Sequence, residues 1–387
     1  MEKDSLKILY DAAMPYAEAF FADFGSAEAF ELGSLSADSL IDIDALFVRS
    51  TTNVDANLLN KANKLSFVAT ATAGYNHLDI DYLERKNINW YAAGGCNAVA
   101  VAEYVLSALM QLAYEDSFDP FNKKIAIIGA GNVGSALSTI LGALGITYVL
   151  CDPPLKLQGD KRNLVSFEEA MRADIICLHT PLITTGSSPT IHMVGGIELA
   201  NLSENQYLIN ACRGEVVDNK ALLAAYENGK RINVVLDVWE QEPLIEHQLI
   251  PYVRLATAHI AGHTLEGKAR GTSMVYDAFC RYLDRPNVLK LEQFLPACDS
   301  KPRLEPSASP FEQLFHIIKV MYDIKKDDGI FRSRMAKSNT FTDIRKNYPV
   351  RREFSAAAVG FETEIKSKIN NKNVTEVVAS LGFTLAN

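Results

Sequence analysis

The sequence has 387 residues, 48% hydrophobic and 22% charged, which predicts a globular chain of two or three domains. Its formal net charge of −9, without a long basic run, argues against binding to nucleic acid or to an anionic membrane surface. The six cysteines form no C-x-x-C pair, and we find no signal-peptide pattern and no apolar stretch long enough to span a bilayer. We therefore expect reduced thiols, no bound metal and a cytoplasmic location.

Short apolar runs alternate with helical patterns up to about residue 95. Strands are predicted at 8–10, Ala45–Val48 and Phe67–Thr70, with helices at 15–24 and 55–61 between them. Strands that alternate with helices are typical of parallel βαβ units. This part of the chain therefore predicts an α/β domain.

A long apolar helix is predicted at 99–114, and a second series of strands follows it. These six strands are expected at 124–128, Tyr148–Cys151, 175–179, Tyr207–Asn210, Asn233–Leu236 and 255–258. With helices between them, they predict a doubly wound parallel sheet. A helix expected at 262–284 could return to the first domain.

The character of the sequence changes after Pro286. Prolines punctuate a stretch that resembles a linker, and mixed, charged segments follow it. The whole chain therefore predicts an α/β fold with two Rossmann-like, doubly wound parallel-sheet domains and a small C-terminal α+β domain. The prolines of the linker-like stretch are Pro296, Pro302, Pro306 and Pro310.

A dinucleotide fingerprint lies between a predicted strand and a predicted helix. The segment 129–134 reads G-x-G-x-x-G, and Asp152 ends the next strand. Such glycines permit a tight turn and a close approach of pyrophosphate to a helix N-terminus, while the acidic residue binds ribose and disfavours a 2′-phosphate. We expect NAD rather than NADP; the alternative is a glycine-rich turn that binds nothing. The predicted NAD residues here are Gly129, Gly131, Asn132, Val133, Gly134 and Asp152.

Three charged side chains follow apolar strands at the edge where open α/β sheets bind their ligands. His259 suits a general base that accepts a hydroxyl proton during hydride transfer, and Glu242 suits a carboxylate that orients the imidazole and stabilises its cation. Arg213 offers the planar, doubly donating group that binds a carboxylate. Taken singly, such residues are more often structural, but together behind the fingerprint they predict oxidation of a 2-hydroxy acid. His179, which ends another strand, is a weaker candidate for the base.

The order of these motifs resembles the D-isomer-specific 2-hydroxyacid dehydrogenase family over about the first three quarters of the chain. The segments that carry the resemblance are 129–134, 179–181, 211–214, 237–243 and 259–262. The resemblance implies the same roles for Arg213, Glu242 and His259. It also implies NAD contacts at Thr180, Ala211, Cys212, Arg213, Asp237 and Gly262.

Further segments resemble a narrower group of that family, whose members oxidise a phosphorylated four-carbon hydroxy acid in pyridoxal phosphate biosynthesis. They are 48–50, 70–74, 94–98, 264–272, 345–348 and 351–353. This resemblance implies substrate contacts at Ser50 and Thr72. Candidate cations for a substrate phosphate are Arg49, His263, Lys268 and Arg270, although the last two could simply solvate a helix face. Related sequences have Tyr where this chain has His263.

The resemblance also assigns roles to the domains. Residues 1–98, with the returning helix 263–286, would form a substrate-binding lid domain, and 99–262 the NAD-binding domain. Residues 287–387 would form a C-terminal domain that mediates homodimerisation. Two alternatives stay open: a dehydrogenase for phosphoglycerate or another 2-hydroxy acid, and an NAD-sensing binding protein similar to a corepressor.

Overall fold

The structure is a computed structural model that describes residues 6–337, 340–361 and 365–386. The chain divides into two compact units. The first contains the chain up to Asn97 together with Thr264–Ala297, and the second contains Ala98–His263 and Cys298–Asn387. Among the described residues, no helix combines the length and apolarity needed to cross a bilayer.

The first unit contains a five-stranded parallel sheet in the order β2-β1-β3-β4-β5. Strands β3 and β4 are buried on both faces, which explains their uninterrupted apolar sequences. The returning helix packs against α1 and β4 and completes an aromatic core. The elements are β1 (Leu6–Asp11), α1 (Ala17–Phe21), β2 (Gly25–Phe30), β3 (Ala45–Val48), β4 (Phe67–Thr70), α2 (Ile80–Arg85), β5 (Asn89–Ala92) and the returning helix α9 (Leu265–Tyr282).

Some elements of this unit differ from those predicted. Strands β2 and β5 were not predicted. They lie at the sheet edges, where β2 is largely exposed and β5 is partly buried, so neither has the fully buried apolar sequence of a central strand. The helix predicted at 15–24 is only α1 followed by a 3₁₀ turn, and the one predicted at 55–61 is the 3₁₀ turn Leu58–Lys61.

The second unit contains a six-stranded parallel sheet in the order β11-β10-β9-β8-β6-β7. The chain passes from β6 to β7 at one edge and then crosses back to β8, so the order reverses beside β6. Open α/β sheets bind ligands at such a point, outside the carboxyl ends of their strands. The elements are α3 (Ala98–Asp116), β6 (Ile125–Ile128), α4 (Asn132–Leu144), β7 (Tyr148–Cys151), α5 (Pro153–Leu157), α6 (Phe167–Ala170), β8 (Ile175–Leu178), α7 (Gly196–Asn201), β9 (Tyr207–Asn210), α8 (Asn219–Glu227), β10 (Asn233–Leu236) and β11 (Leu255–Ala256).

The C-terminal region, residues 298–387, belongs to this second unit. Its helix α10 packs against α3, its helix α13 packs against α4, and Ile317 and Val377 lie in one hydrophobic core with Leu109 and Leu141. Its elements are α10 (Pro310–Met321), α11 (Ile324–Met335), α12 (Phe341–Lys346), β12 (Ala358–Gly360), β13 (Lys368–Ile369), β14 (Lys372–Asn373), α13 (Val374–Ser380) and β15 (Thr384–Ala386).

The division expected at residue 287 therefore differs from the structure. The chain up to Ala297 stays with the first unit, and the rest shares a core with the dinucleotide-binding sheet. Pro310, expected in a linker, is the first residue of α10. Proline is tolerated at this position because the N–H that it lacks would have no partner within the helix. Ser309 caps that helix and exchanges hydrogen bonds with Glu312.

Candidate active site

The glycine turn between β6 and α4 has two crowded glycines and one open one. A Cβ on Gly129, whose φ is +97°, would lie 2.5 Å from the backbone of His179. A Cβ on Gly134 would lie 2.1 Å from the carbonyl oxygen of Gly129, whereas one on Gly131 would meet nothing within 4 Å. The open side at Gly131, directly before the first helical residue Asn132, fits the approach of a pyrophosphate to the helix N-terminus.

Asp152 ties this turn to the helix after β7. Its carboxylate accepts hydrogen bonds from the backbone N–H of Ala130 at 2.9 Å and of Leu155 at 3.0 Å. A carboxylate has about four acceptor positions, so these two bonds leave capacity for ribose hydroxyls. The residues present therefore fit a bound dinucleotide.

His179 is not placed to act as a base. Its ring is buried, and burial lowers its pKa to about 4. Within the part of the chain that the structure describes, neither ring nitrogen has a hydrogen-bond partner, so no carboxylate supports it as Glu242 supports His259. Thr180 follows His179 at the same sheet edge, and the choice of His259 as the base stays a prediction.

The turn that carries Arg213 is fixed by Asn210, the buried last residue of β9. Its side chain accepts from the N–H of Cys212 at 3.2 Å and donates to the carbonyl of Arg213 at 2.9 Å. Gly214 packs closely against the loop that follows β10. A Cβ on Gly214 would lie 2.0 Å from the carbonyl carbon of Trp239. The guanidinium of Arg213, a half-buried residue, donates to the carbonyl of Cys212 at 2.7 Å. A guanidinium has five N–H donors, so Arg213 can still bind a carboxylate.

His259 and Glu242 form the central contact of the site. Nδ1 of His259 lies 2.7 Å from a carboxylate oxygen of Glu242, whose other oxygen accepts from the N–H of Trp239 at 3.0 Å. The His259 ring keeps a third of its surface exposed, and its backbone has a φ of +55°. Because β9, β10 and β11 are neighbours, Arg213, Glu242 and His259 follow their strands at one edge of the sheet.

Residues 257–263, here called the strap, are held by the buried carboxylate of Asp237. One oxygen accepts from the Thr257 hydroxyl at 2.6 Å and the Ile260 N–H at 2.8 Å, and the other accepts from the Ala261 N–H at 2.9 Å. The His259 N–H donates to the backbone carbonyl of Asp237. Asp237 therefore positions the strap, a role that the sequence analysis missed; its contact with NAD stays a prediction.

The residues predicted to contact substrate from the first unit follow β3 and β4. Arg49 is half-buried and Ser50 is exposed. The Thr72 hydroxyl donates to the carbonyl of Gly74 at 3.0 Å and lies 2.8 Å from the hydroxyl of Thr70, which in turn lies 2.9 Å from Nε2 of His77. His77, whose pKa burial lowers, was not identified from sequence because a single His in a loop gives no distinguishing pattern.

Helix α9 packs closely on the loops of the same unit. A Cβ on Gly271 would lie 2.2 Å from the carbonyl oxygen of Ala71, and Arg270 donates to the carbonyl of Cys96 at 2.6 Å. The Arg270 contact supports a structural role for this cation. Lys268 stays a candidate for the substrate phosphate.

His263 ends the strap. Its N–H donates to the carbonyl of Ile260 at 2.8 Å, and its ring lies edge-on to Tyr348 of the C-terminal region, with centroids 6.0 Å apart. A contact between the strap and this part of the chain was not predicted, since more than 80 residues separate the two segments.

Among the described residues, one group has the spacing of metal ligands. Ligand atoms of His192, Asp218 and Glu240 lie within 4.8 Å of one another. His192 bonds to Glu240 at 2.6 Å, and both carboxylates also accept backbone N–H groups at the start of α8. These contacts account for the group as a structural link between loops.

Comparison with known proteins decides the family. Residues 107–263 match the NAD-binding domain of the D-isomer-specific 2-hydroxyacid dehydrogenases, and residues 297–379 match a domain of unknown function (DUF3410). An erythronate-4-phosphate dehydrogenase of Pseudoalteromonas atlantica is 46% identical over 98% of this chain and 99% of its own. One of Yersinia enterocolitica is 44% identical over 98% and 99%.

The chain belongs to the erythronate-4-phosphate dehydrogenases of the D-isomer-specific 2-hydroxyacid dehydrogenase family. It is an NAD-dependent oxidoreductase. Solved structures agree on the fold. A 3-phosphoglycerate dehydrogenase of Entamoeba histolytica with bound NAD matches with a TM-score of 0.61 at 20% identity, over 72% of this chain and 96% of that one. A D-lactate dehydrogenase of Aquifex aeolicus matches with a TM-score of 0.56 at 22% identity, over the same shares.

Proposed function

We propose that this enzyme oxidises 4-phospho-D-erythronate to (R)-3-hydroxy-2-oxo-4-phosphooxybutanoate, with NAD as the oxidant, in pyridoxal 5′-phosphate biosynthesis. The names of relatives that match along the whole chain support this substrate. The observation that carries the chemistry is the 2.7 Å contact between Nδ1 of His259 and a carboxylate oxygen of Glu242, at the carboxyl ends of the strands in the second sheet.

His259 is the proposed base. Because Glu242 binds its Nδ1, the other ring nitrogen, Nε2, is the atom that accepts the proton of the substrate's 2-hydroxyl. The Glu242 carboxylate then stabilises the resulting imidazolium, while its bond to the Trp239 N–H keeps it in place. NAD, when bound, supplies the acceptor for the hydride from C2.

Arg213 is the proposed ligand of the substrate carboxylate, since a guanidinium can form two parallel hydrogen bonds to it. Arg49 and His263 are proposed to meet the phosphate, with Ser50 and Thr72 binding the rest of the substrate. The residues proposed to hold NAD are Gly129, Gly131, Asn132, Val133, Gly134, Asp152, Thr180, Ala211, Cys212, Arg213, Asp237 and Gly262.

Two further proposals concern the whole protein: a homodimer formed through the C-terminal region, and a cytoplasmic location. Sedimentation at several protein concentrations tests the first, since a protein that stays at one chain mass contradicts it. Fractionation of the native cell tests the second.

The decisive assay follows the consumption of 4-phosphoerythronate and of 3-phosphoglycerate, with NAD present and a 2-oxo acid supplied to reoxidise retained NADH. A kcat/KM at least tenfold higher for 4-phosphoerythronate is the expected result. A preference for phosphoglycerate would mean a different substrate. NADH binding without turnover of any 2-hydroxy acid would instead support a binding protein.

A further inference from the structure

The strap is held from two different parts of the sequence. Asp237 accepts the N–H of Ala261, and Arg351, in the C-terminal region, donates to the carbonyl of the same residue. The same Arg351 nitrogen donates to the carbonyl of Ala100 at the start of α3, at 2.9 Å. Ala261 is thus fixed at both its N–H and its carbonyl, two residues after His259.

Arg351 is itself immobilised. Its side chain is buried, with 6% of the residue exposed, and its guanidinium lies 4.4 Å from the ring centre of Tyr322. Burial alone would lower its pKa, but Tyr322, Tyr348 and acidic neighbours outweigh this and raise it, so the group stays charged. Glu103 on α3 accepts the N–H of Phe354 at 2.9 Å and anchors the segment that follows.

His259 needs such support because its backbone is in the left-handed region. A non-glycine residue at a φ of +55° is held there by its surroundings at some energetic cost. Glu242 fixes one side of the ring, and Asp237 fixes the start of the strap. Without Arg351, the buried carbonyl of Ala261 would lose this donor, and the chain leaving His259 would lose a restraint.

We propose that Arg351 is a positioning residue for His259, acting through the Ala261 carbonyl; the inference rests on the proposed function of His259. The C-terminal region thereby contributes to hydride transfer within its own chain. Tyr104 of α3 supports the same arrangement, since its hydroxyl lies 2.7 Å from that of Thr257, which bonds Asp237.

The test compares Arg351→Met, Arg351→Lys and a matched control, Arg332→Met, in the full-length enzyme. Arg332 also lies in the C-terminal region and donates to the backbone carbonyls of Ile250 and Val253, in the loop before β11 rather than in the strap. Three quantities are measured: hydrogen exchange of peptides covering 257–263, NADH affinity, and kcat and KM for the hydroxy acid.

Arg351→Met is expected to speed strap exchange and to lower kcat by about 10- to 100-fold, with a smaller change in KM, because a misplaced base slows chemistry more than binding. Arg351→Lys should recover part of that loss. Arg332→Met should speed exchange before β11 and leave kcat within about twofold.

An unchanged rate of hydrogen exchange in the strap of Arg351→Met would overturn the inference. So would equal losses of kcat in Arg351→Met and Arg332→Met when the two variants lose the same stability. If the wild-type enzyme turned over no 2-hydroxy acid, the proposed function would fail. Strap exchange and NADH affinity would then still show whether Arg351 fixes the strap.

Discussion

His259 and His192 make an informative pair, because each has a ring nitrogen within 2.7 Å of a glutamate oxygen in the loop after β10. His259 follows a strand at the ligand-binding edge, whereas His192 links two loops. The same local contact therefore belongs to the proposed catalytic site in one place and links loops in the other. The position at the sheet, not the pairing, distinguishes them.

Replacement of His259 by Gln is expected to lower kcat by roughly two to four orders of magnitude, the usual contribution of a general base. NADH binding should be retained. Steady-state kinetics with 4-phosphoerythronate measure the loss, and His192→Gln is the control that removes an equally close histidine–glutamate pair. Near-normal kcat in His259→Gln would exclude this residue as the base.

His179 makes the fold sensitive to acid. Its pKa is about 4 in the folded protein, against ~6.5 in the unfolded chain, so the unfolded state binds more protons between these values. Its contribution to stability is therefore complete above pH ~6.5 and is lost as the pH falls toward 4. The size is of order 3 kcal/mol, taking ~1.4 kcal/mol per pH unit.

Between pH 7.5 and pH 5, the free energy of unfolding should therefore fall less in the His179→Leu variant than in the wild type. Urea titrations at the two pH values measure this difference. The exposed His316, changed to Gln, is the control and should keep the wild-type dependence. A His179→Leu variant as acid-sensitive as the wild type would contradict the assignment.

The glycine turn separates folding from binding within one element. Gly134→Ala places a methyl group 2.1 Å from a backbone oxygen, so we expect a loss of stability, measured by thermal unfolding. Gly131→Ala meets no protein atom within 4 Å, so the fold should be unaffected while NAD binding weakens severalfold in a fluorescence titration. Equal effects of both variants on melting temperature would argue against this division.

Burial explains which elements could be predicted from sequence. Strands β3, β4 and β6 are buried on both faces, so each is a short apolar run between turn residues. The edge strand β2 is made mostly of small and polar residues that face solvent, and the edge strand β5 is only partly buried, so neither forms such a run.

The catalytic candidates were predictable for a different reason. Arg213, Glu242 and His259 follow predicted strands, and parallel strands end at one edge. The supporting contacts of Asp237, Arg351 and Tyr348 could not be predicted from the sequence, because they depend on side-chain geometry or on pairs of residues far apart in the chain.

For the molecule as a whole, the C-terminal region is part of the core of the second unit. Ile317→Ser introduces a polar group at a fully buried position of the core shared with α3, so we expect a loss of about 2–4 kcal/mol in unfolding free energy. Val350→Ser, at a position 75% exposed in the same region, is the control. Urea titrations followed by circular dichroism compare them; equal stabilities would contradict a shared core.

The core that joins α3 to α10 and α13 also bears on biosynthesis. The ribosome completes α3 and the six strands of the second sheet well before it reaches the residues of α10, α11 and α13, which pack against α3 and α4. Until those residues emerge, apolar surface on α3 and α4 stays uncovered in the nascent chain. Contacts between helices some 200 residues apart in the chain also form slowly, because the intervening chain must lose conformational entropy before the contact stabilises it. Translation therefore leaves a window in which the nascent chain exposes apolar surface that could aggregate.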